Sequence, residues 1–131
     1  MAIIDIARQW IEGMDEHDVE KMFSLCTEDL LGEEIAEPHP FVGQKAVADS
    51  YADLFQGFPD CKSEILNEIS GDGQALIEVR WTGTNTGSFR GTPPTDKPVD
   101  CRIAYIFAFR DDKISRITEY YDGATVATQM S

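Results

Sequence analysis

The stretch VDCRIAYIFAFRDDKISRITEYYD, residues 99–122, decides the fold. Two runs of alternating aromatic and β-branched residues flank Asp111-Asp112, a pair suited to a tight turn, so the segment reads as two antiparallel strands, Val99 to Arg110 and Ile114 to Asp122. In the first strand Cys101, Ile103, Tyr105, Phe107 and Phe109 share one face, while Ala104, Ile106 and Ala108 lie between Arg102 and Arg110 on the other. Both faces are largely apolar and helices can cover only one of them. The other is expected to meet a second copy of the chain, which makes a homodimer the expected assembly. In the second strand Arg116, Thr118, Tyr120 and Asp122 fall on one side and Ser115, Ile117, Glu119 and Tyr121 on the other.

Upstream, a strand from Ala75 to about Thr86 follows a Gly71-Asp72-Gly73 turn, and before that turn Ile65 and Ile69 alternate with Glu64 and Glu68 in a further strand. Earlier still the period changes from two to between three and four. Ile3, Ile4, Ala7, Trp10, Ile11 and Met14 form one helical stripe ending near Asp15. Asp18 can cap a second helix with Val19, Met22, Phe23 and Cys26 on its buried side. After an acidic loop with short structure from Thr27 to Pro40, a third helix follows Gly43, carries Val47, Tyr51, Leu54, Phe55 and Phe58, and is stopped by Pro59. Helices first and hairpin-linked strands afterwards predict an α+β fold, with the helices on one face of the sheet and a short amphipathic helix (Val126, Ala127, Met130) at the C-terminus.

At 131 residues the chain is read as a single domain, 1–131, with 42% hydrophobic and 27% charged residues, ordinary for a globular protein. Eleven basic against twenty-four acidic residues give a formal charge of −13, which repels phosphate backbones and anionic lipid, so nucleic acid and membrane are not expected partners. The first residues show neither a basic leader nor a long apolar run, and a cytoplasmic protein is expected. Cys26, Cys61 and Cys101 are odd in number and lack neighbouring ligands at metal-binding spacing, so they read as reduced thiols, and neither a metal nor an organic cofactor is expected.

Asp122 is open to two readings. It ends a strand beside aromatic residues, where a desolvated carboxylate gains the proton affinity of a general acid/base, and it also directly precedes the C-terminal helix, where aspartate is a common cap. Asn67, between Ile65 and Ile69, either lines a pocket or is satisfied by backbone. Trp10, Phe23, Tyr51, Phe55 and Trp81 are candidates for a pocket wall and equally for ordinary core. His17 and His39 read as loop residues, the latter held between prolines.

The segments FPD (58–60), GTNTGSFRGTPPTDKPV (83–99) and DDKISRITEYYD (111–122), with Gln129, Trp10 and the His17-Asp18 pair, resemble the SnoaL-like polyketide cyclase family within the nuclear transport factor 2-like superfamily. The resemblance implies a cone-shaped, curved antiparallel sheet of about four to six strands wrapped around a long helix, a pocket that opens at the wide end of the cone, and a dimer; with the three N-terminal helices read above as its cover, the pocket is expected to take an apolar small molecule. It also implies a cofactor-independent, intramolecular aldol ring closure with Asp122 as acid/base. The expected activity is such a cyclisation or an isomerisation of an apolar carbonyl compound, with Tyr105, Tyr120 or Asn85 donating to the developing oxyanion. Asn85 and Tyr105 stand where relatives often carry histidine, and asparagine cannot shuttle a proton near neutral pH. Ketosteroid isomerase shows on a similar cone that an aspartate base and a tyrosine donor suffice for such work. A non-catalytic binding or dimerisation module is the alternative. Epoxide hydrolysis is a further one, needing a carboxylate pair and an arginine around one water, of which Asp122 and Arg116 would supply part.

Overall fold

A computed structural model describes all residues, 1–131. The elements follow the order α1 (Ile3–Asp15), α2 (Val19–Ser24), β1 (Cys26–Glu34), β2 (Phe41–Val42), α3 (Gln44–Gly57), β3 (Lys62–Gly71), β4 (Gln74–Thr84), β5 (Pro98–Arg110), β6 (Lys113–Tyr120) and α4 (Gly123–Met130). The strands form one curved, unclosed six-stranded sheet in the order β2-β1-β6-β5-β4-β3, an α+β architecture. No helix is long and apolar enough to cross a membrane.

The helical stripe of α1 is buried through Ile6, Ala7, Trp10, Ile11 and Met14. Trp10, fully buried, packs edge-on against Tyr51, Tyr105 and Phe107 at ring separations of 5.1, 5.6 and 5.5 Å, and so ties α1 to α3 and to the inner face of β5. Asp18 caps α2 by accepting a hydrogen bond from the Lys21 backbone N–H. The β5–β6 hairpin turns through Asp111 and Asp112, both at positive φ (52° and 60°), as a two-residue turn matched to strand twist requires. The inner face of β5 carries Ile103, Tyr105 and Phe107, all buried, while Ala104, Ile106 and Ala108 face outward and stay half-exposed.

Three expectations are corrected. The acidic loop from Thr27 to Pro40 contains most of β1, a sheet strand that pairs in parallel with β6, with Leu31, Gly32, Glu33 and Glu34 opposite Arg116, Ile117, Thr118 and Glu119. Its register shifts between Cys26 and Leu31, which breaks the period-two signal, and Cys26 opens this strand instead of lying on α2. A shift between Ile65 and Asn67 in β3 likewise flips the alternation, so Ile69 faces outward opposite Leu76, and Glu68 turns inward to a salt bridge with Arg8 at 2.6 Å. Asn67 therefore lies exposed on the outer face, where it donates to Glu78 at 3.2 Å and lines no pocket.

Candidate active site

One apolar cavity of about 80 Å³ opens between the inner face of the sheet, α3 and α4, with sixteen lining residues, twelve of them hydrophobic. Tyr51 and Leu54 from α3, Phe58 after it, Trp81 from β4, Ile103 and Tyr105 from β5, and Val126 and Met130 from α4 form its walls. Helix α4 is fastened over this space by Gln129, whose amide accepts from the Asp100 backbone N–H at 2.9 Å and donates to the Asp100 carbonyl at 3.0 Å.

The polar groups of the cavity converge on β6. Strand parity turns Ile117, Glu119 and Tyr121 inward, and Glu119 is buried to 7% exposure. The Tyr51 hydroxyl donates to Glu119 Oε1 at 2.5 Å, and Tyr105 stands directly opposite Glu119 across the β5–β6 pair. Glu34 lies opposite Glu119 on the other side, across the parallel β1–β6 pair, and also lines the cavity. Burial pushes the Glu119 carboxyl up to about 8, the neighbouring Glu34 charge adds to this, and the Tyr51 hydrogen bond and the Arg90 charge pull the other way. The phenols of Tyr51 and Tyr105 are held well above their ordinary value, first by burial and next by the Glu119 charge, so both remain donors. Arg90 forms an ion pair with Glu34 at 2.6 Å and a second with Glu37 at 3.2 Å, and Tyr121 donates to Glu34 Oε2 at 3.3 Å.

Asp122 sits elsewhere. Its carboxylate is exposed and caps α4, accepting from the Ala124 and Thr125 backbone N–H groups and from the Thr125 hydroxyl at 2.8 Å. The Thr125 hydroxyl, followed by the Thr125 and Ala124 amides, holds Asp122 below the usual carboxylate range. The expectation of a desolvated Asp122 is therefore corrected: the strand ends at Tyr120, and beyond it the chain turns to start the helix. Tyr120 shares the outward side and is 46% exposed, so it too lies outside the cavity.

Asn85 is buried but committed. It donates to the Gly57 and Gly87 carbonyls and accepts from the Thr95 N–H and hydroxyl, which leaves no free group for an oxyanion. Of the aromatic candidates, Tyr51, Trp81 and Tyr105 line the cavity, Trp10 and Phe23 belong to the core behind it, and Phe55 stacks on His17 at 4.5 Å. Cys101 also lines the cavity, with a thiol that burial pushes up to about 11, too high for a thiolate nucleophile near neutral pH. Glu119, Glu34 and Arg90 are the site residues that sequence reasoning misses. For Glu119 the signal is present, since a charged residue shares a strand face with Ile117 and Tyr121.

The sequence profile of the SnoaL-like polyketide cyclases matches residues 4–130, nearly the whole chain. The chain belongs to this family. In fold it is similar to a candidate SnoaL-like polyketide cyclase from Jannaschia sp., at 20% identity and TM-score 0.90, with 98% of this chain and 91% of that chain covered. A candidate polyketide cyclase from Xanthomonas campestris superposes with TM-score 0.88 at 18% identity, covering 98% and 96% of the two chains. A protein of ketosteroid isomerase-like fold from Catenulispora acidiphila, solved with trimethylamine, gives TM-score 0.81 at 16% identity over 95% and 91%. Another neighbour, at 21% identity and TM-score 0.74 over 92% of this chain and 98% of that one, carries the cystatin fold. Among curated protein sequences none matches the chain. Membership of the SnoaL-like family thus rests on sequence, and the solved neighbours establish the fold.

Proposed function

We propose that the cavity is the active site of a cofactor-independent enzyme that moves a proton at a carbon next to a carbonyl, as in an aldol-type cyclisation or an isomerisation of an apolar compound. The observation that carries this reading is Glu119, a carboxyl held out of water among phenols with its proton affinity raised to about 8. A group of that affinity takes a proton from carbon and returns one to the product near neutral pH. Tyr105 donates to the oxygen on which negative charge develops, the Tyr51 hydroxyl holds the Glu119 carboxyl in place, and the apolar walls exclude competing water. Glu119 thus takes the acid/base role that the family resemblance gives to Asp122.

The test is hydrogen–deuterium exchange at the α-carbon of 2-tetralone, a bicyclic ketone, followed by proton NMR in D2O. Exchange accelerated by the protein should fall by about 10²-fold or more in Glu119→Gln and stay within roughly threefold in Asp122→Asn. Loss in Asp122→Asn with exchange retained in Glu119→Gln would overturn the assignment.

A second reading, hydration of an epoxide, is favoured by the pairing of Glu34 with Glu119 beside Arg90. Glu34 would take a proton from water as the water oxygen bonds to an epoxide carbon, the carbon–oxygen bond would break, and the ring oxygen would take the Glu119 proton. Formation of the diol from styrene oxide, with 18O drawn from water, separates this chemistry from the first.

For assembly, the outward sheet face is proposed to meet a second copy of the chain. Ile69 and Tyr120 are 63% and 46% exposed there, with Ala104 and Ile106 half-exposed between them. Light scattering should give twice the 14.6 kDa chain mass, and a monomer at micromolar concentration would count against it.

A further inference from the structure

Arg90 is delivered to the cavity by unusual local means. It lies in the loop of residues 85–97 between β4 and β5 and holds φ at +47°, a region that side chains rarely occupy and that marks sites where the surroundings impose a conformation. Phe89 and Thr92 on either side exchange both backbone hydrogen bonds, at 3.0 and 2.9 Å, which pinches the turn at Arg90-Gly91. The loop is clamped to the end of α3 at two glycines. A Cβ on Gly87 would meet the Gln56 carbonyl oxygen at 2.0 Å, and one on Gly57 would meet Phe89 Cβ at 2.7 Å. The guanidinium itself is fixed over the Phe89 ring at 4.8 Å and the Phe41 ring at 5.7 Å, with its nitrogens on Glu34 and Glu37. An exposed ion pair contributes little and needs no such fixing, whereas this arginine side chain is only 26% exposed and its partner Glu34 14%.

The groups facing Glu119 are Glu34 from β1, Tyr51 from α3, Tyr105 and Cys101 from β5, Tyr121 from its own strand and Arg90 from the loop. Among the residues lining the cavity Arg90 is the one cation. We propose that Arg90 is a positioning residue: it holds the Glu34 carboxylate against the cavity wall beside Glu119 and supplies the positive charge that lets Glu119 release its proton as well as bind it. The inference rests on the reading of Glu119 as the acid/base. Electrostatics agree in sign, because the Glu34 charge strengthens proton binding at Glu119 and the Arg90 charge weakens it. Without Arg90 the Glu119 carboxyl would hold its proton more tightly still, which favours donation over abstraction.

The experiment is a carboxyl-carbon NMR titration of the full chain labelled with 13C glutamate, the Glu119 resonance being assigned by its loss in Glu119→Gln. The wild-type midpoint is expected near 8. Arg90→Gln should raise it by about one unit, a tenfold tightening of proton binding, and Arg90→Lys, which keeps the charge and loses the planar fork, by less. Glu34→Gln should move it downward. An unchanged midpoint in an Arg90→Gln chain whose circular dichroism matches wild type overturns the proposal and leaves Arg90 a pin for the loop. If Arg90→Gln does not fold, Arg90→Lys and Glu34→Gln decide, and a static midpoint in both overturns it. Because the titration needs no substrate, full exchange activity in Glu119→Gln would sink the functional reading while the midpoint shifts could still stand.

Discussion

Glu119 and Asp122 occupy one short stretch of chain and experience opposite surroundings. Glu119 points into the cavity from the last inward turn of β6, where burial and a neighbouring carboxylate strengthen its hold on a proton. Asp122 stands past the strand's end at the head of α4, where three donors from Ala124 and Thr125 weaken that hold. The same chemical group holds its proton more or less tightly according to strand parity and to where the strand stops. In this chain the carboxylate just past the end of the last strand caps a helix, and the carboxyl of the cavity lies three residues earlier, at the last inward position within β6.

The largest expected effect is on turnover, where Glu119→Gln should cost about 10²–10⁴-fold in exchange at the tetralone α-carbon and Asp122→Asn almost nothing. Equal losses would erase the contrast. Stability against pH gives the next effect, with opposite signs at the two sites. The folded chain binds the Glu119 proton more tightly than the unfolded chain, so this group's contribution falls as pH rises from about 4.5 to about 8 and is level above. Denaturant unfolding of Glu119→Gln should therefore lack a decline on the order of a few kcal/mol that the wild type shows across that window. Asp122, with its folded value lowered, stabilises above its unfolded value, and its contribution is lost as pH falls through the folded value, so Asp122→Asn should flatten the acid limb instead.

A smaller shift is expected from Tyr51→Phe, which removes the hydroxyl that donates to Glu119 and should raise the Glu119 midpoint by roughly half a unit to one unit in the same NMR titration. The smallest effect is local. Asp122→Ala strips the cap from α4, and hydrogen exchange at the Ala124 and Thr125 amides should quicken while amides of β5 keep their protection.

Much of the fold is legible because the strongest signals are periodic and uninterrupted. The β5 alternation, the α1 stripe and the Asp111-Asp112 turn each depend on near neighbours alone. β1 escapes the reading because its partner is the distant β6 and a register shift interrupts its alternation, and the shift in β3 hides the outward turn of Asn67 in the same way. The site is less legible for a related reason. Glu119 shows as a charge on an apolar face, but Glu34 reaches it only through the parallel pairing, and Arg90 only through a loop folded back onto α3. Asn85, read as a donor waiting for an oxyanion, has its amide groups satisfied by that loop and by the Gly57 carbonyl at the end of α3, which no local pattern announces.

The contact between Gly87 and the Gln56 carbonyl has a practical corollary for redesign. The segment that rims the cavity and the final turn of the third helix are interlocked main chain to main chain, leaving no room for a side chain to act as shim. A swap of the rim alone, made to admit a bulkier ligand, would set a foreign backbone against an unaltered helix end. The two pieces form one transplantable cassette, and libraries aimed at the mouth of this cone should exchange residues 54–58 together with 85–97.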